Sequence, residues 1–578
     1  MKSLLEKNHR LLFYSCWLIL GLIQSRFTEL LDDEAYYWVY SKFLDWGYFD
    51  HPPMVALLIK LGYAIFHNEL GVRFLFVLLN TGTLLIIEKL TQGKSARLFY
   101  TIALSLAVLQ LGGFLAVPDT PLIFFTTLFF LCYKAFIQRP TLPNTLWLGI
   151  VTAALFYSKY HAVLITVFVL LSNPKLFTRY QAYLAGVIAL ALFAPHLWWQ
   201  YNHDWISFRY HLFESNVNPY QISFTLAFIG GQILVAGPLA GIILLPAAFL
   251  SRLKNNADKD MKDDAPAAKK NGYLLLRAMK FTLVGIYVFF LISSFRGKVE
   301  ANWTSPAIVP LFVLSESFLS TSNSIFATGA RKWLARLLPV TMVIVLLLRI
   351  MMLVDIVPAN AIKERYHSWN SWPARMREKT RSLPVVFENS YQRASKYWFY
   401  SGQMTYSLNW YRERRNNYDF WPIEDSLLGR PVFLLDIHNL DSFQNRISTP
   451  IGAVGYRYDS AFSSFAKVQF VPTEKTIHGS ETSSFVIRIR PDLSEKYLRY
   501  IDAHPDIDCK IFVGVFGKHG WIKDLPVPLT LQQCVHAPST LTFTSDLRRG
   551  NYYLIFSVYS PGTIIPTHNS AKIKLVIP

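Results

Sequence analysis

The chain has 578 residues, of which 52% are hydrophobic and only 16% charged. Soluble domains carry roughly 25% charged residues, so this composition excludes both an ordinary soluble protein and a disordered one. The net charge of +19 would suggest nucleic acid in a soluble chain; in one this apolar it reads as the Lys and Arg that membrane proteins gather in cytoplasmic loops, and no nucleic-acid partner is expected.

A transmembrane helix needs about 20 apolar residues. Such runs are expected near 11–27, 71–88, 98–116, 122–138, 145–157, 160–172, 181–199, 223–250, 278–294, 304–320 and 337–356, about eleven spans in all. Leu11 to Ser25 has the look of a signal-peptide core, but no small-residue cleavage site follows, so it counts as the first helix. Lys and Arg concentrate before Leu11 and at 89–97, 252–280 and 331–336. Under the positive-inside bias this puts the N-terminus in the cytoplasm and makes Arg252–Lys270 a solvated cytoplasmic linker. An odd number of spans then leaves 357–578 outside.

The outer segments hold the unusual polar residues. The first outer loop, 28–70, carries Asp32-Asp33-Glu34-Ala35-Tyr36-Tyr37-Trp38 and then Gly47-Tyr48-Phe49-Asp50-His51-Pro52-Pro53. Later outer ends carry Pro118-Asp119-Thr120-Pro121, Ser158-Lys159-Tyr160-His161, His203-Asp204-Trp205 with Arg209, and Arg296-Gly297-Lys298-Val299-Glu300-Ala301-Asn302-Trp303. Charges near hydrocarbon cost free energy, so a ring of them at helix ends points to a site. The consecutive acids offer hard oxygens for a divalent cation, with Asp33 and Glu34 the candidate ligands, or a general base for an acceptor hydroxyl. Helix capping accounts for one such acid and poorly for all. Lys159, Arg209, Lys298 and His51 add cationic groups to that ring.

Beyond the spans, Pro384-Val385-Val386-Phe387 and Val432-Phe433-Leu434-Leu435 flank a helical stretch from Tyr391 to Tyr400, which suggests an α/β region over 357–465. Alternation in Ser484–Arg490 and Ala571–Val576 predicts a β-rich domain over 466–578. Tyr391, Tyr397, Trp398, Tyr400 and Arg412–Pro422 read first as aromatic core and second as a surface for an acceptor sugar. Four cysteines without a CxxC pair exclude a disulfide scaffold and zinc-ligand spacing. Cys509 and Cys534 could pair in an oxidising compartment.

Asp33-Glu34 with Tyr37, then Tyr48-Phe49-Asp50-His51-Pro52, then Leu70-Gly71-Val72-Arg73 resemble, in order and spacing, the polyprenyl-phosphate-sugar glycosyltransferases of GT-C fold. These are the protein-mannosyltransferase-like group, to which the lipid A aminoarabinose transferase is related. The motifs around Asp119, Lys159, His203 and Lys298–Trp303 resemble a bacterial branch, and the likeness covers roughly 10–310. It implies a bacterial inner-membrane enzyme taking a sugar from a polyprenyl-phosphate donor to a glycolipid, glycan or protein acceptor on the outer face. Asp33 and Asp50 match the family's two acids and Lys159 a family lysine, while His51 stands where the aminoarabinose transferase has a donor-contacting lysine. Asp33, Asp50 and Glu34 are thus the candidate catalytic residues. His51, Lys159, Arg209, Lys298, Asp119, His203 and Glu300 are candidates for substrate binding, and no cofactor is implied beyond a divalent cation. The fold expected is a polytopic α-helical membrane protein of GT-C type, residues 1–356, with an extracytoplasmic α/β and β-rich C-terminal portion. A transporter or lipid flippase is the alternative, but such proteins place polar residues mid-helix and repeat internally, and neither feature is visible here.

Overall fold

A computed structural model describes residues 2–91, 95–214, 219–251, 267–436, 440–443, 445–480, 484–518, 520–563 and 565–578. These form two compact units, Met1–Val357 and Pro358–Pro578. The expected Arg252–Lys270 linker lies almost wholly outside the described residues.

Unit one is helical. Its elements are α1 (Lys2–Phe27), α2 (Asp32–Lys42), α3 (Met54–Ile65), α4 (Glu69–Thr91), α5 (Ala96–Ser105), α6 (Asp119–Gln138), α7 (Leu142–Ser158) and α8 (Ala162–Ser172). They continue with α9 (Tyr180–Asn202), α10 (Ile206–Arg209), α11 (Ile222–Val235), α12 (Gly241–Leu250), α13 (Ala267–Ser293), α14 (Ile308–Thr321) and α15 (Ile325–Leu353). Among the described residues, five helices are long and apolar enough to cross a membrane, or six if α1 and α2, bent by 85°, count as one. The membrane reading thus holds, whereas the individual spans are more broken than the sequence suggests. The run 223–250 divides into α11 and α12 because Gly237 adopts φ +115°, where a Cβ would also lie 2.3 Å from the Ser105 carbonyl. The segment 28–70, expected as a loop, instead contains two helices, α2 and α3. The three acids at the start of α2 favour that outcome, since carboxylates stabilise a helix N-terminus. The core of this unit is built from side chains such as Phe99, Ile102, Leu122, Phe130, Ile286, Leu311 and Phe312, all but excluded from solvent.

Unit two holds the expected β-rich portion. Strands β1 (Val385–Glu388), β2 (Thr405–Leu408), β3 (Val432–Asp436), β4 (Asn445–Thr449) and β5 (Gly452–Asp459) form one sheet in the order β2-β1-β3-β5-β4. Strand β1 is parallel to both β2 and β3, and the helix Tyr391–Ser401 connects β1 to β2. Strands β1 and β2 are buried at every residue, and β1 and β3 read as near-continuous apolar runs rather than alternating ones. The strands from Gln469 onward form a six-stranded and a three-stranded sheet, which share one apolar core including Ile487, Phe543, Val513, Val515 and Phe556. The alternation read at Ser484–Arg490 is the inward and outward facing of its strand. Tyr397 and Trp398 are buried, as the core reading expects. The boundary expected at 465/466 falls inside this unit, where Asn569 Nδ2 donates to the carbonyls of Phe465 and Val468 at 2.6 and 2.7 Å. Cys509 and Cys534 are separate thiols, pushed up to about 12 and about 11 chiefly by burial.

Buried titratable groups make this unit pH-sensitive. Burial, with Arg415 and Lys572 nearby, pushes His568 down to about 3, and its ring Nε2 lies 3.0 Å from the Glu413 carbonyl. An imidazole whose folded pKa lies below its unfolded value contributes stability that is present above about pH 6.5 and lost as pH falls toward the folded pKa. Burial raises Asp419 and Glu424, and these work in the opposite direction as pH falls. The test is therefore a difference. Between pH 7 and 5 the wild type should lose about 2 kcal/mol more stability than His568→Asn, at 1.36 kcal/mol per pKa unit. Thermal unfolding of the full chain in detergent at the two pH values measures it.

Candidate active site

The three acids at the start of α2 take different environments. Glu34 and Arg73 are both fully buried. Arg73 grips Glu34 through two parallel bonds, Nε to Oε1 at 2.7 Å and Nη2 to Oε2 at 2.5 Å. The amides of Ala116 and Leu31 donate to Oε1 and Oε2 at 2.8 and 3.0 Å. A carboxylate has about four acceptor positions, and here all are taken. Arg73 also donates to the carbonyls of Ser25, Thr28 and Glu29, tying the end of α1 to α4. Glu34, a candidate acid and metal ligand, is thus engaged by Arg73 and two backbone amides. It is fully buried while Asp33 is exposed. Among the described residues no three His, Cys, Asp or Glu side chains converge as a metal site.

Asp33, Tyr37 and Tyr40 are spaced i, i+4, i+7, one face of α2. That face confronts the connection between α2 and α3. The Tyr37 ring lies 5.6 Å from that of His51, and Tyr40 Oη donates to Asp50 Oδ2 at 3.4 Å. Asp50 is only 6% exposed. His211, just after α10, reaches the same point: its Nε2 lies 2.8 Å from the Asp50 carbonyl and its ring 6.3 Å from His51.

The connection is fixed from the other side by α9. Trp199 Nε1 donates to Asp45 Oδ2 at 2.7 Å, and His196 Nδ1 donates to the Trp46 carbonyl at 2.7 Å. Gly47 lies flat against Trp199, where a Cβ would come within 2.4 Å of the indole. Gln200 Nε2 donates to Tyr160 Oη and Ser207 Oγ, and Ser207 Oγ donates to the Tyr48 carbonyl. Tyr160, next in sequence to Lys159, brings its ring to 5.3 Å from His211.

A second cluster surrounds Asp119 at the start of α6. Lys159 Nζ, Ser305 Oγ and Asn302 Nδ2 donate to its carboxylate at 2.8, 2.5 and 3.0 Å. Lys159 is 5% exposed, and its charge is balanced by Asp119. Of the remaining candidates, His203 joins these contacts through Trp199. Lys298 pairs with Glu300 at 2.8 Å, both more than half exposed. Arg209 is exposed at the end of α10, and His203 stacks on Trp199 at 4.0 Å. Sequence reasoning missed His196, Gln200, His211, Asn302 and Ser305. Asn302 stood inside a quoted motif, but the others carry no local signature, because their roles arise from contacts across 40 or more residues.

The first unit is helical, with several helices long and apolar enough to cross a membrane and polar residues gathered at helix ends. Residues 50–199 match the family described as dolichyl-phosphate-mannose-protein mannosyltransferase. The chain is 26% identical over 243 residues to the lipid A galacturonosyltransferase RgtD of Rhizobium johnstonii, which is 38% of this chain and 50% of that protein. It thus spans about half the length of the curated relative it matches. ArnT from Cupriavidus metallidurans bound to undecaprenyl phosphate overlays 78% of this chain and 98% of its own, with TM-score 0.54 at 12% identity. The apo ArnT structure gives TM-score 0.53 at 14% identity. The resemblance read from the motifs is borne out in the fold and in the segment holding Asp50, His51, Asp119 and Lys159.

The buried pair yields a stability prediction. Arg73→Met leaves Glu34 as an uncompensated buried charge, which typically costs 3–5 kcal/mol. Thermal unfolding in detergent should show a loss of about that size, and an unchanged midpoint would contradict the role given to the pair.

Proposed function

We propose that the chain is a membrane glycosyltransferase that moves a sugar from a polyprenyl-phosphate donor to a glycolipid acceptor, with lipid A the leading candidate. The observation that carries this reading is the α2 face, which exposed Asp33 shares with Tyr37 and Tyr40, the two side chains that touch His51 and Asp50. RgtD and ArnT, by their names and the undecaprenyl phosphate bound to ArnT, support the donor and acceptor classes.

The chemistry follows from charge. The acceptor hydroxyl attacks the anomeric carbon, a new glycosidic C–O bond forms, and the bond to phosphate oxygen breaks with its electron pair. The polyprenyl phosphate leaves with one more negative charge, and the acceptor proton must go to a base. Asp33 is that base, because it is exposed to solvent whereas Glu34 is fully buried beside Arg73. His51 and His211 border the Asp50 turn and can donate to phosphate oxygens. Lys159 fixes Asp119 and through it the segment Asn302–Ser305, so its contribution is positioning as well as charge. A divalent cation, if used, would be met by Asp33 and donor phosphate rather than by Glu34.

Eleven spans, a cytoplasmic N-terminus and an extracytoplasmic 357–578, divided at 465/466 and reading the acceptor, complete the proposal. The positive-inside bias supports the orientation. Single cysteines at positions 10 and 510 in intact cells test it: labelling at 510 and not at 10 is expected, and the reverse overturns it.

The catalytic reading is tested by transfer from a purified polyprenyl-phosphate sugar to lipid A. Asp33→Asn should slow turnover by ~10²–10⁴-fold, the usual size of a general-base loss. Asp50→Asn should also impair it, and Lys159→Ala should weaken donor use. Near-normal transfer by a well-folded Asp33→Asn with both substrates saturating would remove Asp33 from the mechanism.

A further inference from the structure

Unit two contains a cleft whose lining includes none of the residues assigned above to the transfer chemistry. In its first sheet the parallel strands run in the order β2-β1-β3. From β1 the chain passes to β2 on one side, then returns to β3 on the other. In open α/β sheets, the crevice outside the carboxyl ends of the strands at such a reversal is where ligands bind. Strands β1 and β3 end there in Glu388 and Asp436, which follow the paired residues Phe387 and Leu435. Both acids are at least nine-tenths buried, at 5% and 4% exposure. A cleft of about 570 Å³ opens at this edge, lined also by Asp524, Arg412, Trp410 and Tyr559. That volume lies within the range of small-molecule sites.

We propose that this cleft binds a sugar residue that carries no acidic group. Carboxylates are acceptors only and take hydroxyl or ammonium donors, with stronger bonds than neutral acceptors make. Trp410 and Tyr559 supply aromatic surface for the apolar face of a pyranose. Phosphate and uronic acids are disfavoured, because three carboxylates face one arginine. That arginine is already committed: Arg412 donates to Asp524 at 2.9 Å and lies 3.5 Å above the Trp521 ring, and Tyr411 Oη also bonds Asp524. The side of the cleft that Arg412 and Asp524 form is therefore rigid before any ligand arrives, which lowers the entropy cost of binding. The proposal does not depend on which sugar unit one transfers, or on whether it transfers one.

Saturation-transfer NMR on the full chain in detergent tests this, with glucose, glucosamine and glucuronate as probes. Saturable binding of glucose and glucosamine is expected, with glucuronate weaker by about tenfold or more, as expected for unlike and like charges at a partly desolvated site. Asp436→Asn and Glu388→Gln should each weaken glucosamine binding by about tenfold, the worth of one charge-assisted hydrogen bond. Melting temperature checks that each variant folds, and Trp410→Ala supplies a third variant outside the acid pair. Absence of saturable binding by any probe, equal binding of glucuronate, or undiminished binding in the folded variants would overturn the proposal.

Discussion

The Glu34–Arg73 ion pair is the constraint on which the first unit's candidate site depends. Burying two charges costs several kcal/mol per ion unless geometry and further hydrogen bonds compensate. Here the compensation is complete for the carboxylate: two guanidinium bonds and two backbone amides fill its acceptor positions. The guanidinium in turn holds three carbonyls around the end of α1. One pair thereby joins α1, α2, α4 and the segment before α6, and it fixes the rotation of α2. Because α2 cannot turn, Asp33, Tyr37 and Tyr40 face the Asp50–His51 connection.

Similar economy appears at Asp119. A lysine buried at 5% exposure would be costly alone. Paired with a carboxylate that also receives Asn302 and Ser305, it joins the end of α7, the start of α6 and the segment before α14. The polar groups at helix ends are therefore of two kinds. Glu34, Arg73, Asp119 and Lys159 hold elements together. Asp33 and Arg209 are exposed instead, and His51 is half-buried.

Much of this was legible in the sequence, for identifiable reasons. Apolar runs and charge asymmetry gave the membrane unit, and period-two alternation at Ser484–Arg490 gave the sandwich strands. The motifs drew attention to Asp33 and Lys159, which sit at helix ends, and to Asp50 in the connection between α2 and α3, because aromatic or proline signals stand beside each. Less visible was the separation of Asp33 from Glu34, since adjacent residues on a helix point about 100° apart and only the tertiary position of Arg73 decides which is buried. The breaks were also hidden: a hydropathy run cannot show that Gly237 takes a positive φ against the Ser105 carbonyl. His196 and His211 escaped because their partners at Trp46 and Asp50 are about 150 to 160 residues away in sequence, and Gln200 because Tyr160 is 40 residues away.

The central claim is that two neighbouring acids divide the work, Glu34 holding the helix and Asp33 reacting. The most direct measurement compares Glu34→Gln and Asp33→Asn side by side, recording both melting temperature and transfer rate per folded molecule at saturating substrates. The account predicts a crossed result: Glu34→Gln melts earlier yet keeps most of its rate below its transition, while Asp33→Asn melts normally and loses its rate. A rate loss confined to Glu34→Gln, with Asp33→Asn active, would contradict it.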